Sequence, residues 1–384
     1  MNDEAARLST SAASARPAGQ LRGLRFEVVG SEHGFRELQP LWDELFRQQE
    51  QFPEQSFERA LAAWETIGRP RGRRLHIIVG RVAGDAVLIF PMTMQRTGPF
   101  KVGRALGPEF YEACDVLVRS SPDCREWVQQ AWDFALAQFD VVRLPAVRAT
   151  AHIWAHLERS RAARFERISS LYIDASAWDG WEHYYKSRSA NFRKDHRTSL
   201  KRLQQAGAVR WHVVEQRDVL PETLDWMFAH KLDWLERTGG DATLAHHRAF
   251  YAQLCEAALE TGELVLIELL VEHVRVAAQI GFRAGARLDC DMIAWDPAWK
   301  DCGPGRALDV HTIQWAFENS VRFIELGVFG HPSKFRFTDA SVETAFRVVI
   351  APRARGRALI RLKDILEGMR AVAASVYGKA RSEN

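Results

Sequence analysis

Between Gly262 and Val328 the chain changes hydrophobic period twice, and that change limits what it can fold into. "ELVLIELLV", "VRVAAQIGFRA" and "RLDCDMIAW" are apolar, β-rich runs separated by two short turns, the second carrying Gly285. The next segment, "GPGRALDVHTIQWAFE", sets Ala307, Val310, Ile313 and Phe317 at helical spacing in a helix over 304–319, and "RFIELGV" returns to strand character. Three strands, a helix and a strand make a mixed sheet with the helix packed on it. The same order stands earlier in the chain. "RLHIIVGRVAGDAVLIFPMTMQ" is a hairpin turning at Gly84-Asp85, continued by "FKVGRALG" and "CDVLVR". "PDCREWVQQAWDFALAQF" is a helix with Pro122 in its first turn, and "DVVRLPAV" is the strand behind it.

This repeated pattern predicts an α/β protein of two tandem domains, each a mixed central sheet flanked by helices. The expected division is a disordered leader over 1–23, an N-terminal domain over 24–168, a C-terminal domain over 169–350, and a helix and tail over 351–384. Strand "LRFEVVG" and helices "GFRELQPLWDELFRQQ" and "SFERALAAWETIG" open the first domain, the last with Ser56 as N-cap. Between the copies lie "LYIDASAW" and helices over 188–206, 218–237 and 244–260. After the second copy come strand "ETAFRVVIAP" and a helix over 358–376. A chain of 384 residues, 47% hydrophobic and 26% charged, is long enough to bury two cores.

Charge and cysteines exclude some partners. A net charge of +3 is too mild to argue for nucleic acid on global grounds. The five cysteines (Cys114, Cys124, Cys255, Cys290, Cys302) are odd in number and hold no Cys-x-x-Cys pair, so neither a disulfide framework nor a metal site is expected. No run of apolar residues is long enough to span a bilayer, and the N-terminus has no apolar secretion core. A cytoplasmic location is the expectation.

The turn before the 304–319 helix is the first candidate site. A helix N-terminus leaves backbone N–H groups unpaired and partly positive, so a phosphate docks there if the preceding loop lets it approach. Gly303 and Gly305 allow that approach, Pro304 stiffens the turn and Arg306 supplies a charge-assisted contact. A plain strand-to-helix connection would use the same residues, and Asp309, read as first-turn, would repel a phosphate. The matching connection of the first copy, "VRSSPDCREWV", has no glycine.

With its flanking strands this segment resembles the coenzyme A-binding half of the GNAT acyltransferase superfamily, in the tandem-domain branch of Fem-type and CelD-like (cellulose-biosynthesis-associated) proteins. Asp296-Pro297, Pro304-Gly305 and Lys334 match that branch's pattern, while Ser333 stands where a tyrosine is usual. The resemblance implies direct transfer of an acyl group, acetyl above all, from acyl-CoA to an amine, with no metal. Cys302, Gly303, Pro304, Gly305, Arg306 and Ala307 would hold the cofactor, and the strands over 286–295 and 322–328 would splay to take its arm. An amino sugar or surface-polysaccharide precursor is the implied acceptor. An aminoacyl-tRNA-dependent Fem-type transferase is the alternative enzyme, and a non-catalytic polyanion-binding protein on a decayed scaffold is the alternative outside enzymes.

Asp289 and Asp291 lie two apart on one strand and so share a face, where each would raise the other's pKa and suit a general base. The same face, if solvated, would make them ordinary surface acids. His331 and Lys334 follow the next strand and could orient the acceptor or neutralise developing charge. From Lys186 to Arg202 the chain carries a local charge of +6, with Arg193, Arg197 and Lys201 in one stripe at i, i+4 spacing. That stripe is either a solvated face or a contact for an anionic acceptor; without interleaved aromatics nucleic acid is disfavoured. Trp295 and Trp299 flank the Asp-Pro turn, where Trp295 could line a pocket.

Overall fold

The computed structural model describes residues 23–108, 113–239, 242–327 and 334–362. The leader, His331, Ser333 and the C-terminal helix beyond residue 362 therefore lie outside the described residues.

The N-terminal half opens with β1 (Arg25–Val29), α1 (Glu32–Glu37) and α2 (Gln39–Arg47). The single helix expected here is broken at Leu38, because Pro40 has no N–H to give a continuous helix and is tolerated only in a first turn. Ser56 caps α3 (Phe57–Ala63) as expected, its Oγ accepting from the Arg59 N–H at 3.2 Å. Then come β2 (Arg74–Leu75), the hairpin β3 (Ile77–Val82) and β4 (Asp85–Phe90), β5 (Met92–Thr97), β6 (Phe100–Ala105) and β7 (Leu117–Val118). Helix α4 (Cys124–Gln138) starts after Asp123, so Pro122 precedes the helix instead of sitting in its first turn. Strand β8 (Val141–Arg148) and α5 (Trp154–Glu158) follow.

Strand β9 (Ala163–Asp174) leads into the C-terminal half, with α6 (Trp181–Ser187), α7 (Ala190–Ala206), β10 (Val209–Val213), α8 (Leu220–Thr238) and α9 (Arg248–Thr261). The antiparallel meander β11 (Leu264–Val271), β12 (Val274–Ala284) and β13 (Arg287–Trp295) precedes α10 (Pro304–Glu318), β14 (Phe323–Glu325) and β15 (Ser341–Ile350). The repeat is real at the level of connectivity. In one half β6 runs parallel to β8 across α4; in the other β13 runs parallel to β14 across α10. The halves differ where β4 meets β5. Pro91 interrupts the strand, and β1-β3-β4-β7 form a separate four-stranded sheet.

An eleven-stranded sheet of order β10-β11-β12-β13-β14-β9-β15-β8-β6-β5-β2 runs through both halves. The long strands β9 and β15 join them: β9 pairs with β14 and β15, and β15 pairs with β8. A boundary at 168/169 cuts through β9, and β15 hydrogen-bonds into the other half. Local hydrophobic periodicity carries no record of which strands pair at long range. On the N-terminal half α4 buries Trp127, Ala131, Trp132 and Ala135 with Val142 and Leu144 of β8. On the C-terminal half α10 buries Ala307, Leu308, Val310, Ile313 and Ala316 against the meander. Burial of each larger aliphatic among these contributes about 1.5–3 kcal/mol.

Candidate active site

Strands β13 and β14 pair over only three residues, Arg287–Asp289 with Phe323–Glu325. Beyond Asp289 they part: β13 continues to Trp295, while the Leu326 N–H turns away to the Leu171 carbonyl at 2.9 Å. The gap is a cleft of two chambers, about 360 Å³ outside and 330 Å³ inside, sharing Ile293, Trp295, Asp309 and Phe337 as walls. In the N-terminal half the corresponding edge is occupied by the chain itself, Ala113 bridging Ala146 of β8 in parallel.

The outer chamber is built on the mouth of α10. Gly303 (φ +64°) closes the short turn Pro297–Cys302 and opens α10; a Cβ there would be strained and would meet Ser199 Oγ at 2.7 Å. A Cβ on Gly305 would press on Trp295 Cδ1 at 3.1 Å. Among the described residues no side chain caps α10, and Gly303, Pro304, Gly305, Arg306, Lys300 and Arg336 line the chamber at its mouth. Two residues expected here are elsewhere. Ala307 is fully buried in the core and Cys302 packs at the core's edge, so neither lines the chamber.

The inner chamber gathers Asp309, Lys231, Lys334, Cys290 and Asp291. Asp309 is in the second turn of α10, not the first, and faces the cleft. Burial pushes its carboxyl up to about 6, against the opposing pull of Lys334 and Lys231. Burial, followed by the charge of Lys334, pulls the Lys231 ammonium down. Lys231 donates to the Ile293 carbonyl at 3.2 Å and Lys334 to the Leu326 carbonyl, so each ammonium is anchored to one wall of the gap. Burial, followed by the charges of Asp289 and Asp309, holds the Cys290 thiol far above its ordinary range.

Asp289 and Asp291 are not surface acids. Asp291 lines the inner chamber but is bound to Arg59 (Nη2 to Oδ2, 2.5 Å) and accepts from the Tyr251 hydroxyl at 2.6 Å. Asp289, 7% exposed, does not line the cleft. Its carboxyl is raised well above the ordinary range, first by burial and then by Glu54 and Asp291. It stands in an ionic cluster spanning the two halves, in which Arg148 meets Glu54 (3.3 Å) and Glu325 (2.9 Å), and Arg287 meets Glu325.

The basic stripe of α7 does not reach the cleft. Arg193 donates to the Lys186 carbonyl at 2.6 Å and to that of Arg188, closing the end of α6, while Arg197 and Lys201 are exposed. Trp295 lines both chambers, and Trp299 packs at the core's edge. The sequence reading names neither Lys231 nor Arg59, and it takes Asp309 only as a first-turn residue that would repel a phosphate. A signal existed for the first: Lys231 follows Leu224 and Phe228, both buried, at i+7 and i+3 on the inward face of α8, where a charge is out of place. Arg59 reaches Asp291 across 232 residues of sequence, and nothing local marks it.

Residues 190–335 match the family model described as Acetyltransferase (GNAT) domain. No curated protein matches the sequence. Among solved structures the chain is similar in fold to FemX (TM-score 0.55, 10% identity, 78% of this chain and 92% of that one). It is also similar to a conserved protein of unknown function from Bacteroides thetaiotaomicron VPI-5482 (TM-score 0.53, 10% identity, 85% and 100%). A third is a tandem GNAT protein from the clavulanic acid biosynthesis pathway (TM-score 0.51, 10% identity, 86% and 99%). The chain thus has the fold of two tandem GNAT-like domains, the second of which carries the cleft and matches the GNAT acetyltransferase domain.

Proposed function

We propose that this protein is an N-acyltransferase that takes an acyl group, acetyl above all, from an acyl-CoA thioester and passes it directly to an amine. The observation that carries this reading is the continuity of the cleft, with the uncapped mouth of α10 at one end and Asp309, Lys231 and Lys334 at the other. The cofactor's diphosphate would rest on the N–H groups of Gly305 and Arg306, with Lys300 and Arg336 beside it. Its pantetheine arm would lie along the β13 edge that β14 leaves unpaired. Asp309, a carboxylate above about pH 6, takes the proton of the acceptor's ammonium. Lys231 and Lys334 then neutralise the oxyanion formed when the amine attacks the carbonyl carbon; collapse breaks the C–S bond, and the second proton of the attacking nitrogen passes to the departing sulfur, which leaves as the thiol. The resemblance supports an amino sugar or surface-polysaccharide precursor as acceptor.

Acetyl-CoA at a hundredfold excess over its dissociation constant should stabilise the protein by about 2.7 kcal/mol. Gly305→Asp should abolish that gain, since the new side chain presses on Trp295 and sets a negative charge where the diphosphate docks. Release of free coenzyme A thiol with a panel of amines, glucosamine included, then reads the reaction. A wild-type protein whose melting ignores acetyl-CoA and longer acyl-CoAs would overturn the proposal. A Fem-type donor, aminoacyl-tRNA, is the second reading, supported by the likeness to FemX; it predicts that indifference together with steep salt dependence.

A further inference from the structure

A second cavity, of about 340 Å³ and open at its rim, shares no lining residue with the cleft. It lies in the N-terminal half, between the end of α2, the turn before α4 and the loop from β8 to α5. That turn carries Ser120 and Ser121 and no glycine, so it lacks the close approach that the mouth of α10 offers. Side chains fix the walls. Gln49 donates to the Val118 carbonyl at 3.2 Å, and Gln48 Oε1 accepts from the Ser120 N–H at 3.4 Å, which pins α2 to β7 and to the turn. On the other side Asp115 accepts from the backbone N–H groups of His152 (2.6 Å) and Ile153 (3.1 Å), which holds the loop into α5. Its third bond is to His152 Nδ1, at 2.9 Å. Holding the loop does not require that bond. A carboxylate can only accept, so it fixes the neutral imidazole with its proton on Nδ1 and leaves Nε2, which has no partner among the described residues, for a ligand.

Charge does not select the ligand. Glu50 meets Arg287 (3.3 Å), Asp115 meets His152, Arg119 meets Glu44 (3.0 Å), and Arg148 meets Glu54 and Glu325, so each charged lining residue already has an opposite charge beside it. A charged ligand would enter without a counter-charge of its own. What remains is neutral: the Gln55 amide, the Ser120 and Thr150 hydroxyls and His152 Nε2, none of which makes a side-chain hydrogen bond among the described residues. The amide both donates and accepts, each hydroxyl does either, and Nε2 accepts when the imidazole is neutral and donates when it is protonated. A ligand that answers all of them bears several hydroxyls on a small frame, and Phe52, Ala113, Val118 and Ala151 offer its carbons apolar contact. The volume is at the lower end for small-molecule sites, room for one ring and not for a chain. We propose that this cavity binds one ring of an uncharged sugar, with His152 Nε2, Gln55 and Thr150 holding its hydroxyls.

Titration of the full chain, read by saturation-transfer NMR, with methyl glucoside, methyl galactoside, methyl mannoside and N-acetylglucosamine tests this, since none carries a free amine that the cleft would take as acceptor. At least one should bind with a dissociation constant below about 10 mM, the strength of a few uncharged hydrogen bonds. His152→Ala removes the imidazole but keeps the backbone N–H that Asp115 holds, so the fold should stand and the affinity should fall about fivefold or more. Gln55→Leu, nearly the same size, should weaken the same sugar by a similar factor, and it carries the test should the first variant not fold. The bond to Asp115 raises the imidazole's affinity for a proton, and burial opposes it. Between about pH 6 and 8 sugar affinity should nonetheless change less than about threefold, because a hydroxyl donates to neutral Nε2 and accepts from it when protonated. Acetate or inorganic phosphate that binds here at the lower pH and leaves at the higher would mark an anion site. That result, no binding by any of the four sugars, or full affinity in either folded variant would each overturn the proposal.

Discussion

Asp309→Asn should make the protein more stable and less active at once, and the size of both effects follows from where the carboxyl sits. Burial between α10 and the cleft lifts its pKa from 3.8 to about 6, even with Lys334 and Lys231 pulling it down. A carboxyl raised in the folded state contributes stability that is fully present below the unfolded pKa and is lost as pH rises through the folded one. A tenfold difference in proton affinity between the folded and unfolded chain is worth about 1.4 kcal/mol, so this carboxyl costs the fold about 3 kcal/mol at pH 8 and about 2 kcal/mol at pH 5. Asparagine is nearly the same shape and never ionises. Urea unfolding should therefore show the variant gaining about 3 kcal/mol at pH 8, with the advantage shrinking toward pH 5. Turnover should fall by about 10²–10⁴, the usual worth of a general base, and the wild-type inflection near pH 6 should vanish. Equal stability of the two proteins at pH 8, or an advantage that grows as pH falls, would refute the placement of this carboxyl. Full activity in the variant would refute its role.

Other outcomes follow from the same geometry. Arg59→Met keeps volume but leaves the Asp291 carboxylate buried without its guanidinium, which should cost about 3–5 kcal/mol in urea unfolding; a loss under about 1 kcal/mol would mean that the pair is worth little. Trp295→Ala removes a wall common to both chambers and should weaken acetyl-CoA binding in titration while leaving the core intact; unchanged affinity would place the cofactor elsewhere. The double variant Arg197→Gln, Lys201→Gln should change stability by less than about 0.5 kcal/mol and leave acceptor KM unaltered, because neither side chain lines the cleft. A raised KM that recovers with salt would restore the basic stripe as an acceptor contact.

The elements and their order were legible in the sequence because each rests on local chemistry. Apolar period marks β11 to β13 and α10, Gly84 marks the hairpin turn, Ser56 caps α3, and Gly303-Pro304-Gly305 marks a helix mouth that a phosphate can approach. Even the doubling of the fold showed in the recurrence of strand, helix, strand. What the sequence could not carry is any relation set by long-range pairing. That β9 and β15 knit the halves into one sheet depends on pairing between residues 170 or more apart in sequence, and no period within either strand encodes its partner. The same holds for charge. Asp289 and Asp291 read as a pair on one face, yet Arg59 claims one and the Glu54 cluster surrounds the other, while Lys231, Asp309 and Lys334, separate in the chain, meet where β13 and β14 part. A carboxyl's pKa is decided by its burial and by the charges around it, and only the folded chain supplies both.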